Sequence, residues 1–113
     1  IRTRLDLDVA APRRELPIAD VLIDLDARVA RRGDGDLGLT AHEFNVLAFL
    51  RERAGRALTR EQIAGSALPE GGERFDRTVD SHIARIRKKL GEPAAARIET
   101  VWGIGYRCAE EAS

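Results

Sequence analysis

The sequence predicts an α+β domain in which short antiparallel strands come first, three helices follow and a β-hairpin closes the chain. Three observations predict this order. Apolar and polar residues alternate over residues 21–31, as in strands. Helix-capping motifs begin at Thr40 and Thr59. An amphipathic stretch over residues 76–90 precedes two short β-prone runs on either side of Gly103.

The composition limits the classes of function that the chain can have. Its 113 residues are enough for one domain, and 19 basic residues balance 19 acidic ones. Nucleic-acid binding must therefore depend on local clusters of charge. The lone cysteine, Cys108, excludes an intrachain disulfide and a cysteine-rich metal site, and no apolar run is long enough to span a membrane.

Residues 1–19 are predicted to be a linker whose first residues, Ile1 to about Leu7, are the end of an upstream helix, so that the folded domain covers residues 20–113. Pro12 and Pro17 lie close together among charged residues, a pattern that interrupts regular structure. Three or four short antiparallel strands are expected over residues 20–40. The acidic residues of that stretch suit turns, because their spacing does not match a calcium-binding loop.

Two capping boxes predict the first two helices. In Thr40-Ala41-His42-Glu43 the threonine hydroxyl and the glutamate side chain can each bond a backbone amide at the start of the helix. Thr59-Arg60-Glu61-Gln62 repeats the pattern, and the short connection between the helices predicts a helix-turn-helix-like unit. Many all-α folds contain such a pair, so the unit alone indicates no function.

The third helix, with Asp76 as its predicted N-cap, has two chemically opposite faces. One face carries an apolar stripe, formed by Val79, Ile83, Ile86 and Leu90. The opposite face interleaves cations with small residues: Arg77, Ser81, Ala84, Arg85 and Lys88. Small residues let a helix approach the major groove closely, and arginine can bond a guanine edge with two donors. A solvated basic helix end is the alternative, because the helix dipole also favours cations there.

A strand over Ile98–Trp102, a turn over Gly103–Gly105 and a strand over Tyr106–Cys108 are predicted to form the closing hairpin. We expect Tyr106 in the core. The turn lacks the third glycine and the following helix that a dinucleotide-binding loop requires.

Three ordered blocks together resemble the C-terminal effector domain of OmpR/PhoB-type response regulators. They are Leu39–Phe44, Asp76–Leu90 and Thr100–Arg107, within a match that covers about residues 20–108. The resemblance implies a winged helix-turn-helix, with an N-terminal antiparallel sheet, three helices and a C-terminal hairpin wing. Trp102 stands where the family often has arginine, and Leu68 where many members have tryptophan.

The resemblance also implies site residues. The third helix would enter the major groove, and its base-facing residues would be Asp80, Ser81, Ala84 and Arg85. Backbone or phosphate contacts would come from Arg77, Thr78, His82, Arg87, Lys88, Thr100 and Trp102. For His82 a plain surface position is an equal alternative, and Arg77 could pair with Asp80 within the helix.

The function that the resemblance implies is sequence-specific binding of double-stranded DNA in transcription, without catalysis, cofactor or metal, in the cytoplasm. Implied partners are an upstream receiver domain with a phosphoacceptor aspartate, a sensor histidine kinase, a second copy on tandem half-sites, and RNA polymerase through residues 65–75. The alternative is a winged-helix module that binds proteins. An enzyme is not expected, because we find no nucleophile–base pair, phosphate-binding glycine loop or metal cluster.

Overall fold

The computed structural model describes residues 14–67 and 75–110, with the backbone alone for residues 75–78. Over these residues the strands are β1 (Glu15–Ile18), β2 (Val21–Asp24), β3 (Val29–Arg32), β4 (Gly35–Asp36), β5 (Leu58–Thr59), β6 (Ile98–Val101) and β7 (Gly105–Cys108). The helices are α1 (Ala41–Glu52), α2 (Arg60–Ala67) and α3 (Phe75–Leu90), and a 3₁₀ turn (Ala94–Arg97) precedes β6. This order confirms the predicted fold class. Residues 1–13, Leu68, most of segment 65–75 and the side chains of Arg77 and Thr78 lie outside the description.

The N-terminal sheet contains a strand that the sequence analysis missed. β1 lies inside residues 1–19, which were predicted to be a linker, and it pairs antiparallel with β2. The expected boundary at residue 20 is therefore wrong for the sheet. Pro17 is tolerated because β1 is the edge strand of the sheet as far as the described residues form it, and a missing N–H there need not interrupt a second ladder. The described part of this sheet is a four-stranded meander in the order β1-β2-β3-β4.

Acidic side chains stabilise the turns of this sheet, as the sequence predicts. Asp24 Oδ1 accepts hydrogen bonds from the amides of Asp26 and Ala27, at 3.0 and 2.9 Å. Asp36 Oδ1 accepts from the Gly38 amide at 2.7 Å. Within the described ranges, no group of three or more His, Cys, Asp or Glu side chains could hold a metal ion.

Both predicted capping boxes are present. The Glu43 amide donates to Thr40 Oγ1 at 3.2 Å, and the Thr40 amide donates to Glu43 Oε1 at 3.0 Å. The corresponding Thr59 and Gln62 bonds are both 2.9 Å. Because the capping bonds are local, they fix where α1 and α2 begin independently of distant parts of the chain.

The connection between α1 and α2 also contributes a strand, which the sequence analysis did not predict. β5 pairs with β7, so that the second sheet has the order β5-β7-β6 in the described chain. A Cβ at Gly105 would lie 2.1 Å from the Leu58 carbonyl oxygen. Only glycine permits this close approach, which joins the hairpin to the helix-turn-helix unit.

The apolar stripe of α3 forms the centre of the core. Val79, Ile83, Ile86 and Leu90 are each at most 1% exposed, as their spacing predicts. Asp76 is not the N-cap, because α3 already includes Phe75. None of the described helices is long and apolar enough to cross a membrane.

Candidate nucleic-acid interface

The face of α3 opposite the core is open to solvent. We call it the α3 outer face, and its described members are Ser81, Ala84, Arg85 and Lys88, all of them exposed. None of these side chains hydrogen-bonds or ion-pairs with another residue of the described chain. The two cations and two small residues are thus available to a ligand that approaches along the helix.

Two other cations of the same helix, Lys89 and Arg87, bond other parts of the chain and do not belong to the α3 outer face. Lys89 Nζ donates to Glu43 Oε1 at 2.6 Å and to the Gly38 carbonyl at 2.9 Å. Burial by itself raises the pKa of the Glu43 carboxyl, which is 2% exposed. The hydrogen bonds from Lys89 and from the Thr40 amide outweigh burial and hold that pKa below its ordinary value. Lys89 therefore stabilises the packing of α3 on the start of α1.

Arg87 faces the hairpin. Its Nε and Nη2 donate to the Ile98 carbonyl at 3.2 and 2.7 Å, and Nη2 also donates to Thr100 Oγ1 at 2.9 Å. Its guanidinium carbon lies 5.7 Å from the centre of the Tyr106 ring. Arg87 therefore links α3 to β6, and the Thr100 hydroxyl already accepts a hydrogen bond from it. The phosphate contacts expected of Arg87 and Thr100 remain predictions.

Asp80 joins α3 to α2 and to β7. Its Oδ1 accepts hydrogen bonds from Arg60 Nε at 2.8 Å and from the Tyr106 hydroxyl at 2.7 Å. Burial raises the pKa of Asp80, but the bonds from Tyr106 and Arg60 together hold the pKa below its ordinary value. Asp80 is therefore a carboxylate at neutral pH, and its charge is opposed by Arg60. Its expected base contact stays a prediction.

His82 lies half-buried beside the N-terminus of α1, where the centres of its ring and the His42 ring are 5.9 Å apart. Its expected phosphate contact is likewise a prediction.

The hydrogen bonds that join Asp80 to Arg60 and Tyr106 could not be predicted from the sequence, since nothing in the local spacing relates these three residues. Tyr106 is 6% exposed, as expected of a core residue.

The hairpin ends in an exposed turn. Trp102 was predicted to close a strand, but β6 ends at Val101 and Trp102 occupies the turn. It is 88% exposed. The bonds of Arg87 and of Tyr106 join both strands of the hairpin to α3.

Comparisons with known proteins assign the family. The family described as "Transcriptional regulatory protein, C terminal" matches residues 34–108. The transcriptional regulatory protein SpaR of Bacillus subtilis is 34% identical over 90 residues, which are 80% of this chain and 41% of SpaR. The KDP operon transcriptional regulatory protein KdpE of Escherichia coli is 35% identical over 99 residues, or 86% of this chain and 44% of KdpE. The chain thus spans less than half the length of these relatives.

Solved structures agree with this assignment. The DNA-binding domain of CpxR from E. coli superposes with a TM-score of 0.75 at 26% identity, covering 90% of this chain and 100% of that domain. The DNA-binding domain of Klebsiella pneumoniae RstA, in complex with the RstA box, gives a TM-score of 0.71 at 28% identity over 85% of this chain and 97% of that one. The chain therefore belongs to the winged-helix effector domains of OmpR/PhoB-type response regulators, a family that regulates transcription and catalyses no reaction.

Proposed function

We propose that this chain binds double-stranded DNA sequence-specifically to control transcription, with α3 in the major groove and the hairpin wing on the adjacent backbone or minor groove. One observation carries the proposal. The α3 outer face is open along its described length, while the opposite stripe of the same helix is buried. A helix that is packed on the core through one face and exposed on the opposite face suits the major groove, which is wide enough to admit it.

The α3 outer face makes two kinds of contact in this proposal, one with base edges and one with phosphate. Ala84 and Ser81 have short side chains, which allow the helix to lie close to the base edges. Arg85 then reaches a base edge, where its planar fork can make two hydrogen bonds to guanine. Lys88 contacts phosphate as a point charge. Asp80, the remaining residue proposed to face the bases, is held by hydrogen bonds from Arg60 and Tyr106.

Further backbone contacts are proposed from the family pattern. They come from Arg77, Thr78, His82, Arg87, Thr100 and Trp102. The contacts within the chain divide these residues by role. Arg87 donates a hydrogen bond to Thr100, so these two residues also fix the wing to α3.

The proposed partners follow from the same family. An upstream receiver domain, phosphorylated on an aspartate by a sensor histidine kinase, promotes binding of two copies to tandem half-sites. RNA polymerase is a further proposed partner, contacted through residues 65–75. The relatives SpaR and KdpE, which are more than twice as long as the matched segments, have room for such a receiver.

Duplex binding measured across salt concentrations tests the DNA-binding proposal. We expect the logarithm of the binding constant to fall steeply with the logarithm of salt, by about 0.9 for each phosphate neutralised. The probe is a labelled pool of random-sequence duplexes, followed by the duplexes that the chain selects from that pool. A flat salt response, or no binding, would favour the alternative function of a protein-binding module.

A further inference from the structure

The tip of the wing is uncharged and apolar. Residues 101–105 read Val-Trp-Gly-Ile-Gly, and the Ile104 amide donates to the Val101 carbonyl at 3.0 Å. Gly103 has φ +81°, so the turn has the form of a type II turn with Trp102 at its outer corner. Trp102 is 88% exposed and Ile104 is 46% exposed. The turn geometry thus presents two large apolar side chains to solvent.

The strands of the wing supply no spare charge for phosphate. Between Ile98 and Cys108 the charged residues are Glu99 and Arg107. Arg107 Nε bonds Glu99 Oε1 at 2.8 Å across the two strands, so these charges oppose one another. The Thr100 hydroxyl is engaged by Arg87. Over residues 98–108 the wing therefore has no cation without an acidic partner, unlike a wing with an arginine at its tip.

We propose that Trp102 and Ile104 pack against the deoxyribose walls of the minor groove, adding affinity that does not depend on salt. This inference rests on the proposed function. The hairpin is fixed to α3 through Arg87 and Asp80, so seating α3 in the major groove carries the tip to the neighbouring backbone. Trp102 lies two residues beyond Thr100, in the turn that follows β6. Apolar side chains at the minor groove meet sugars and base steps.

The fluorescence of Trp102 tests the proposal directly, because it is the only tryptophan in the chain. A random-sequence duplex pool is titrated in while duplex anisotropy and tryptophan emission are both recorded. We expect the emission to shift or be quenched, and its quenching by iodide to weaken, with the same midpoint as the anisotropy. Unchanged emission and iodide quenching at saturating duplex would overturn the proposal. An absence of any anisotropy change would instead contradict DNA binding itself.

Two substitutions separate apolar contact from charge. Trp102→Ala should lower duplex affinity about tenfold at every salt concentration, so the salt slope stays unchanged. Trp102→Arg should make the slope steeper by about 0.9, because it adds a phosphate contact. Since Trp102 is so exposed, neither variant should change the free energy of unfolding.

Trp102→Phe is the matched control, and it should retain most of the affinity because it retains an aromatic face. The proposal is wrong if Trp102→Ala binds duplex as tightly as the parent chain, or if its salt slope falls. It is equally wrong if Trp102 is needed only for association of the duplex-free chain in sedimentation experiments. That result would assign the wing tip to a protein partner.

Discussion

Arg85 and Lys88 lie on the same exposed face of α3, but the two cations have different geometries. A guanidinium is a planar fork whose donors match the two acceptors of a guanine edge. An ammonium is a compact charge that any phosphate can satisfy. Because neither side chain is held by another described residue, each is available for its own kind of contact. The two residues should therefore respond differently to substitution.

Arg85→Ala should weaken binding to a selected operator by about 1–3 kcal/mol and relax the preference for one base pair. The physical reason is the loss of two directed hydrogen bonds to a base edge. Anisotropy titrations with the operator, and with duplexes substituted at each position, measure both effects. If operator and random duplexes lose affinity equally, Arg85 does not contact a base.

Lys88→Ala should weaken all duplexes similarly and reduce the salt slope by about one, because one phosphate is no longer neutralised. Salt titrations of operator and random duplexes provide the measurement. Arg56→Ala is the matched control, since Arg56 is an exposed cation outside α3 and the wing. A slope that stays the same in Lys88→Ala would exclude the phosphate contact.

Helical periodicity identified the exposed cations but not the role of every cation on α3. It placed Arg85 and Lys88 opposite the buried stripe, which the structure confirms. It could not assign Arg87 to the Ile98 carbonyl or Lys89 to Glu43, because those partners lie 11 and 46 residues away in the sequence. A cluster of cations in a sequence therefore overstates the charge available to a ligand.

At the scale of elements, α3 and the hairpin behave as one unit because side chains cross between them. Arg87 bonds β6, and Asp80 bonds Tyr106 of β7. The wing can keep its position relative to α3 in the absence of DNA, so less conformational freedom is lost on binding. This arrangement gives Arg87 a role in stability in addition to the backbone contact proposed for it.

Arg87→Ala should therefore lower the free energy of unfolding of the DNA-free chain by about 1–2 kcal/mol, because the Ile98 and Thr100 oxygens lose their donor. Urea denaturation followed by circular dichroism measures the change. Lys88→Ala, one residue along the helix and exposed, should stay within about 0.5 kcal/mol of the parent. Unchanged stability of Arg87→Ala together with a reduced salt slope would identify a phosphate contact instead.

The junction of α1 and α3 should respond to pH. The pKa of Glu43 is below its ordinary value in the folded chain, so its charged form stabilises the fold. That stability is present above the ordinary glutamate value of about 4.3 and is lost as the pH falls through the lower folded pKa. Glu43→Gln should cost about 1–2 kcal/mol at neutral pH, and the difference from the parent should shrink below pH ~4. Urea denaturation at several pH values compares the two chains, and a constant difference would contradict this role.

Local signals predicted the helices well, whereas strand pairing was harder to predict. The two capping boxes are complete within four residues, and the α3 stripe is periodic over the helix, so both are visible in the sequence. β1 and β5 are defined by their partners β2 and β7. Pro17 suggested a break in β1, and nothing within Leu58–Thr59 indicates a strand. Edge and two-residue strands depend on tertiary pairing, which periodicity does not encode.

At the scale of the whole molecule, the balanced charge affects how copies assemble. The 19 basic and 19 acidic residues give no net charge, so two copies side by side on DNA should repel one another little. The distribution of charge over the surface matters more than the net charge. The α3 outer face is cationic, while the turns of the N-terminal sheet carry exposed acids such as Asp34 and Asp36. Because the α3 outer face contacts DNA in the proposed function, two copies on tandem half-sites would meet head to tail through other, unlike surfaces.

Head-to-tail assembly makes a prediction about the operator. Two copies related by translation along DNA read the same sequence in the same direction, whereas a two-fold dimer reads an inverted repeat. Selection from random duplexes should therefore enrich direct repeats whose centres lie about 10 base pairs apart, one helical turn, so that both α3 helices enter the same side of the duplex. Inserting about 5 base pairs between the repeats should abolish cooperative binding, because the second copy then faces the opposite side. Enrichment of inverted repeats, or cooperativity that survives the insertion, would rule out tandem binding while leaving recognition of a single half-site intact.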